Sequence, residues 1–148
     1  MAYSSLRKGR FSQTGTVYHI TTVTKDGAPY FSSLEYGRKV VMQLAKLQAE
    51  GRAETLCYVL MPDHLHWLMV LHDGELAKIM QLLKGRTAHA IGHAIWQDNY
   101  HDHAVRDDED LRSMARYIVA NPLRAQLVEH IGDYPLWDAA WLDETLLG

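Results

Sequence analysis

The chain has 148 residues, 47% hydrophobic and 22% charged, with 15 basic and 18 acidic side chains and a net charge of −3. That length suits one domain able to bury a core without a metal or disulfide staple, and the lone Cys57 excludes an internal disulfide framework and a cysteine zinc cage. No apolar run reaches the roughly 18 residues of a membrane helix, and the opening charges have no apolar stretch behind them, so a soluble cytoplasmic protein with no signal peptide and no membrane partner is expected.

The first segment with a clear period is VYHITTVT (17–24), β-branched and alternating, which predicts a strand. KDGAPY (25–30) supplies Asp-Gly and Pro for a turn. From Ser32 or Ser33 as N-cap, Leu34, Val40, Val41, Leu44 and Leu47 fall on one helical stripe that stops before Gly51. TLCYVLM (55–61) and HLHWLMVL (64–71) are two strands broken only by Pro62-Asp63, so they pair antiparallel. After Gly74, Leu76, Ile79, Met80 and Leu83 mark one face of a helix continuing to about Ile95. WQDNYHDHAVR (96–106) holds a short strand near Tyr100–Val105. Asp107–Asp110 start a further helix, since acidic residues favour the positive end of the helix dipole. That helix ends near Asn121, because Pro122 disfavours α conformation in the residue before it. The order β-α-β-β-α-β-α predicts a single α+β domain: a central antiparallel sheet flanked by helices, ferredoxin-like in topology.

The net charge argues against a nucleic-acid partner, but its distribution is less hostile. Residues 129–148 form an acidic C-terminal tail with Glu129, Asp133, Asp138, Asp143 and Glu144 and no Lys or Arg, which leaves residues 1–128 at +2. Arg7, Lys8 and Arg10 cluster at the start, Lys84 and Arg86 lie mid-chain, and Arg124 follows later. Local patches of this kind steer phosphates even on a slightly acidic molecule.

Two constellations carry chemistry. In MPDHLHWLMV, His64 and His66 are two apart on a strand, so they project from one face with Cα atoms roughly 6.5–7 Å apart, a spacing that lets two imidazoles converge on one metal. In ARYIVANPLRAQLV, Tyr117 and Asn121 are four apart and share a helix face, although a core tyrosine and a helix-terminating Asn before Pro122 would read the same way. Rival histidine patterns are weaker: His101-Asp102-His103 sits in polar surroundings that suggest a solvated loop, and His89 and His93 lack the glutamate of the zinc-protease helix. The run at 107–110 reads as a solvated helix start, and His19 carries no pattern. There is no phosphate-binding Gly-rich loop, dinucleotide fingerprint or serine nucleophile elbow, so no nucleotide cofactor is expected.

MPDHLHWLM, WQDNYHDHAVRDDEDL and RYIVANPLRAQLV, in this order and spacing and with the basic opening RKGRFSQTGTVYHITTVTKDGAPYF before them, resemble the REP-associated tyrosine transposases. These belong to the single-tyrosine HUH transposases, a prokaryotic superfamily acting on single-stranded DNA, and the likeness covers roughly residues 7–137. The resemblance implies that His64 and His66 bind a divalent ion, Mg2+ or Mn2+, with Asn121 completing the shell, and that Tyr117 is the nucleophile. It also implies single-stranded or hairpin DNA as partner, with Arg7, Lys8 and Arg10 on the hairpin and Lys84, Arg86 and Arg124 on phosphates near the site. The implied reaction is nicking and rejoining through a covalent 5′-phosphotyrosine. A hairpin-binding protein without cleavage activity is the alternative, and a zinc hydrolase built on Asp63, His64 and His66 a weaker one. One position departs from the family pattern: Gln126 stands where a glycine is expected, which puts local geometry in question.

Overall fold

A computed structural model describes residues 14–139. β1 (Val17–Val23) follows the sequence alternation, burying Tyr18, Ile20 and Thr22 on one side and leaving Val17, His19, Thr21 and Val23 partly exposed on the other. Two short 3-10 turns, Lys25–Gly27 and Tyr30–Ser32, carry the chain to α1 (Leu34–Ala49). Ser33 is the N-cap, its hydroxyl accepting the Tyr36 N–H, and the helix buries Val40, Leu44 and Leu47. β2 (Ala53–Met61) and β3 (His64–Leu71) form the predicted hairpin across Pro62-Asp63.

α2 (Leu76–Ile91) is shorter than its sequence pattern suggests. Gly92 takes a left-handed φ of 109° and its N–H returns to the Ala88 carbonyl, so the helix closes at Ile91 rather than near Ile95. β4 (His101–Val105) occupies the ambiguous stretch. α3 (Asp108–Val119) begins where the acidic run predicts, with the Asp107 carboxylate accepting the Asp110 N–H at 2.9 Å. A one-turn helix, α4 (Asn121–Arg124), follows at once, with Pro122 in its first turn.

The strands assemble in the order β4-β1-β3-β2-β5, antiparallel throughout. The first four reproduce the expected ferredoxin-like sheet. Leucines and isoleucines of α1 and α2 pack with Ile20, Leu60, Leu65, Trp67 and Met69 in the larger core. On the opposite face α3 packs Ala115, Ile118 and Val119 against Val59, Met61 and Leu68.

Sequence periodicity does not reveal β5 (Trp137–Ala139), which pairs with the far edge of β2. Leu136 is buried, its carbonyl accepts the Leu60 N–H, and the Tyr134 hydroxyl donates to the Leu60 carbonyl. A Cβ on Gly37 of α1 would come within 2.6 Å of Leu136, which accounts for a glycine inside that helix. Of the expected acidic tail, residues 137–139 therefore join the sheet.

Gln126 has a φ of 59°, the left-handed region that glycine fills without steric cost. The position that departs from the family pattern is thus one where the backbone itself asks for glycine. Gln126→Gly should stabilise the protein by about 0.5–1 kcal/mol, the relief of a left-handed non-glycine residue less glycine's extra chain entropy. Chemical denaturation checks this, and an unchanged or lowered midpoint would refute it.

Candidate active site

The two-residue turn Pro62-Asp63 starts β3 at His64 and so puts His64 and His66 on the face that α3 covers, opposite the main core. Their rings meet edge to face, with centroids 4.9 Å apart. Each ring has its Nδ1 engaged. His64 Nδ1 lies 2.7 Å from Asp63 Oδ1 and donates to it when it carries the proton. His66 Nδ1 lies 3.1 Å from His19 Nε2 and 3.3 Å from the Thr21 hydroxyl. With the proton on His66 Nδ1, the bond runs from His66 to His19, and the lone pair of His66 Nε2 is left available. Neither Nε2 atom has a hydrogen-bond partner among the described residues.

Electrostatics favour the neutral forms of His66 and His19. Burial, with further contributions from His64, His19 and Arg124, pushes His66 down to about 3. Burial and the neighbouring His103 push His19 down to about 4. Imidazoles oriented through Nδ1 by a carboxylate or a second imidazole, with Nε2 left available, are the chemistry of metal-ligating histidines, so this pair fits a divalent ion. No group of three or more His, Cys, Asp or Glu side chains forms a complete metal cage among the described residues. Among the described residues, a further donor would be an amide such as that of Asn121.

The lowered values set a pH window for the metal-free protein. An unfolded histidine titrates near 6.5, so as pH falls below that value the unfolded chain takes up protons that folded His19 and His66 resist. Their contribution to stability is therefore complete above about 6.5 and is lost progressively as pH falls toward the folded values of about 4 and 3. Melting in EDTA should drop between pH 6.5 and 5, above the range where carboxylates titrate, and His19→Gln should flatten that drop. Equal slopes in the two proteins would count against the assignment.

Tyr117 lies in the last turn of α3 and is 54% exposed. The chain break just after it has a local cause. Pro122 has no N–H to give to the Ile118 carbonyl, and the Asn121 side chain supplies the missing donor, its Nδ2 reaching Ile118 O at 3.1 Å and Tyr117 O at 3.4 Å. Asn121 Oδ1, the atom a metal would use, is outside these bonds. Arg124 folds back from α4: its Nη2 donates to the Tyr117 carbonyl at 2.6 Å and its Cζ lies 3.9 Å from the centre of the Tyr117 ring. The same guanidinium is near enough to His66 to disfavour a second positive charge there. Tyr117, Asn121, Arg124 and the histidine pair thus gather at one end of the α3 face.

Other sequence candidates separate from this group. Lys84 and Arg86 belong to α2, on the face of the sheet opposite the histidines. Lys84 Nζ donates to the carbonyls of Gln97, Asp98 and Asn99, and Arg86 bonds both carboxylate oxygens of Glu50. Arg7, Lys8 and Arg10 lie outside the described residues. His89 and His93 do not share a helix, since α2 ends between them, and His93 packs near Tyr30 and Tyr36. His101 and His103 stand on strand β4 rather than in a loop, exposed, with His103 opposite His19 in register. Trp67 and Trp96 are buried, each donating its indole N–H to a threonine. His19 is the residue that sequence reasoning missed, because only the pairing of β1 with β3 brings it to His66.

Residues 12–121 match the profile of a family described as "Transposase IS200 like". A REP-associated tyrosine transposase of Escherichia coli (strain K12) is 28% identical over 95 residues, covering 62% of this chain and 58% of that protein. A Haemophilus influenzae relative (strain ATCC 51907 / DSM 11121 / KW20 / Rd) is 30% identical over 99 residues, covering 55% of this chain and 56% of its own length. The matched segments thus span less than two thirds of these curated relatives. Among solved structures, a REP-associated tyrosine transposase bound to a REP hairpin superposes with a TM-score of 0.76 at 24% identity, covering 86% of this chain and 79% of that one, a likeness of fold. With the profile spanning most of the sequence, and both His64 and His66 and the Tyr117–Asn121 turn inside it, the chain belongs to the IS200-like transposase family.

Proposed function

We propose that this protein nicks and rejoins single-stranded DNA beside a REP-type hairpin, with Tyr117 as nucleophile and His64 and His66 as metal ligands. The observation that carries the reading is the gathering of an exposed tyrosine, an arginine and two imidazoles with available Nε2 atoms at one end of the α3 face. The relatives' description as REP-associated transposases, and the hairpin bound by the structural relative, supply the substrate class.

In this reading the Tyr117 phenol oxygen attacks the scissile phosphorus. A new oxygen–phosphorus bond forms to the 5′ side, the bond to the 3′ oxygen breaks, the phenol proton passes to solvent and the departing 3′ oxygen takes up a proton. The phosphodiester is exchanged for a phosphotyrosine of similar energy, so rejoining needs no nucleotide. His64 and His66 would hold the divalent ion, oriented by Asp63 and His19, and Asn121 keeps the tyrosine-bearing turn closed where Pro122 interrupts it. When bound, the ion supplies Lewis-acid polarisation of a non-bridging phosphate oxygen.

The test is a denaturing-gel assay with hairpin oligonucleotides taken from the flanks of the gene, with Mn2+ or with EDTA. A Mn2+-dependent nick and a protease-sensitive shifted band are expected. Hairpin binding with no nick under either condition would replace this reading with that of a DNA-binding protein without cleavage activity.

A further inference from the structure

An exposed phenol on a helix surface exchanges rotamers within nanoseconds unless something holds it, and a nucleophile that wanders loses rate. Tyr117 is held. The guanidinium of Arg124 covers its ring at 3.9 Å and bonds its carbonyl at 2.6 Å, so one side chain fixes both the ring and the backbone of the same residue. This contact is not a default of helical geometry. Seven residues in an unbroken helix rise roughly 10 Å, and Arg124 reaches back where the helix is interrupted at Ala120 and restarts as the Asn121–Arg124 turn. The short turn, the proline and the Asn121 side chain that repairs it together deliver the arginine to the tyrosine.

The bond to the Tyr117 carbonyl uses one of five guanidinium N–H donors, and stacking uses none. The remaining donors are free to meet a phosphate while the ring stays covered. The same charge is near enough to His66 to act on it. Lysine could supply the charge but has neither the plane nor the fork.

We propose that Arg124 is a positioning residue for Tyr117, clamping the phenol by stacking while its free N–H donors hold the phosphate that Tyr117 attacks. The inference rests on Tyr117 being the nucleophile and adds to it a residue whose loss should lower the rate at saturating DNA more than it weakens binding.

The experiment compares wild type with Arg124→Ala and Arg124→Lys in two measurements. The first is 19F NMR of the DNA-free protein labelled with 3-fluorotyrosine, the Tyr117 signal being assigned with Tyr117→Phe. The second is single-turnover cleavage of a hairpin oligonucleotide in Mn2+ at saturating protein, with hairpin affinity measured separately in EDTA. In both variants the Tyr117 signal should move toward that of a solvent-exposed tyrosine. The saturating rate should fall roughly 10²-fold, the scale expected for a misplaced reacting group, while affinity changes little. An unmoved signal, a loss confined to affinity, or full rescue by lysine would each overturn the clamp while leaving Tyr117 as nucleophile. Failure of the wild-type protein to form any adduct would instead overturn the nucleophile assignment, and the role of Arg124 with it.

Discussion

Replacing Tyr117 by phenylalanine should abolish covalent DNA adducts and lower cleavage by at least about a thousandfold, as loss of an attacking group does in enzymes that pass through a covalent intermediate. The substitution removes one oxygen from a side chain that is 54% exposed, and the Arg124 stack, which needs only the ring face, survives it. Stability should therefore stay within about 0.5 kcal/mol of wild type, the usual range for a surface change. Hairpin affinity in EDTA should also hold. A denaturing gel, a melting curve and a binding titration on the same preparation separate these quantities. Undiminished nicking by Tyr117→Phe would remove Tyr117 from the chemistry, and a large fall in melting temperature would show that its hydroxyl has a structural role.

How much of this was legible in advance depends on the range of the interaction concerned. Local signals read well. Ser32 or Ser33 as a cap and the acidic run Asp107–Asp110 announced their helices because capping and the helix dipole act within one turn, and His64 and His66 announced a shared face because strand alternation has a period of two. Elements decided at a distance did not read. β5 is three residues long, too short to show a period, and exists because β2 has a free edge for it. His19 has no motif because its significance lies in a pairing 47 positions away. Lys84 and Arg86 resembled phosphate ligands in the sequence, but the sheet they pack against separates them from the histidines. Gln126 lies between these cases: the family pattern marked it, and the left-handed φ of 59° supplies the reason.

Trp67→Ala should be the most destabilising single change in the sheet, and its consequence for the site follows from strand alternation. Trp67 is fully buried among Ile20, Leu65, Met69 and the apolar faces of α1 and α2, and its indole N–H donates to the Thr55 hydroxyl at 2.8 Å. Removing it leaves a large cavity, costing about 3–5 kcal/mol, and strands the Thr55 hydroxyl for about 1 kcal/mol more. Against a typical total of 5–15 kcal/mol, that is a large share of the protein's stability, and a fall in melting temperature of roughly 8–24 °C is expected at 2–4 °C per kcal/mol for a chain of this size. Trp67→Phe keeps most of the volume and should lose much less. His66, the next residue on the strand, faces the other way, so its contacts to His19 and Thr21 do not involve the indole. At a temperature where Trp67→Ala is still folded, cleavage should remain close to wild type, the reverse of the pattern expected for Tyr117→Phe. The odd-numbered residues of β3 thus hold the strand in the core, and His64 and His66 on its other face are held rigid because of it. Loss of cleavage by folded Trp67→Ala would show instead that the two faces are coupled through the backbone, and that the histidine geometry depends on the packing beneath it.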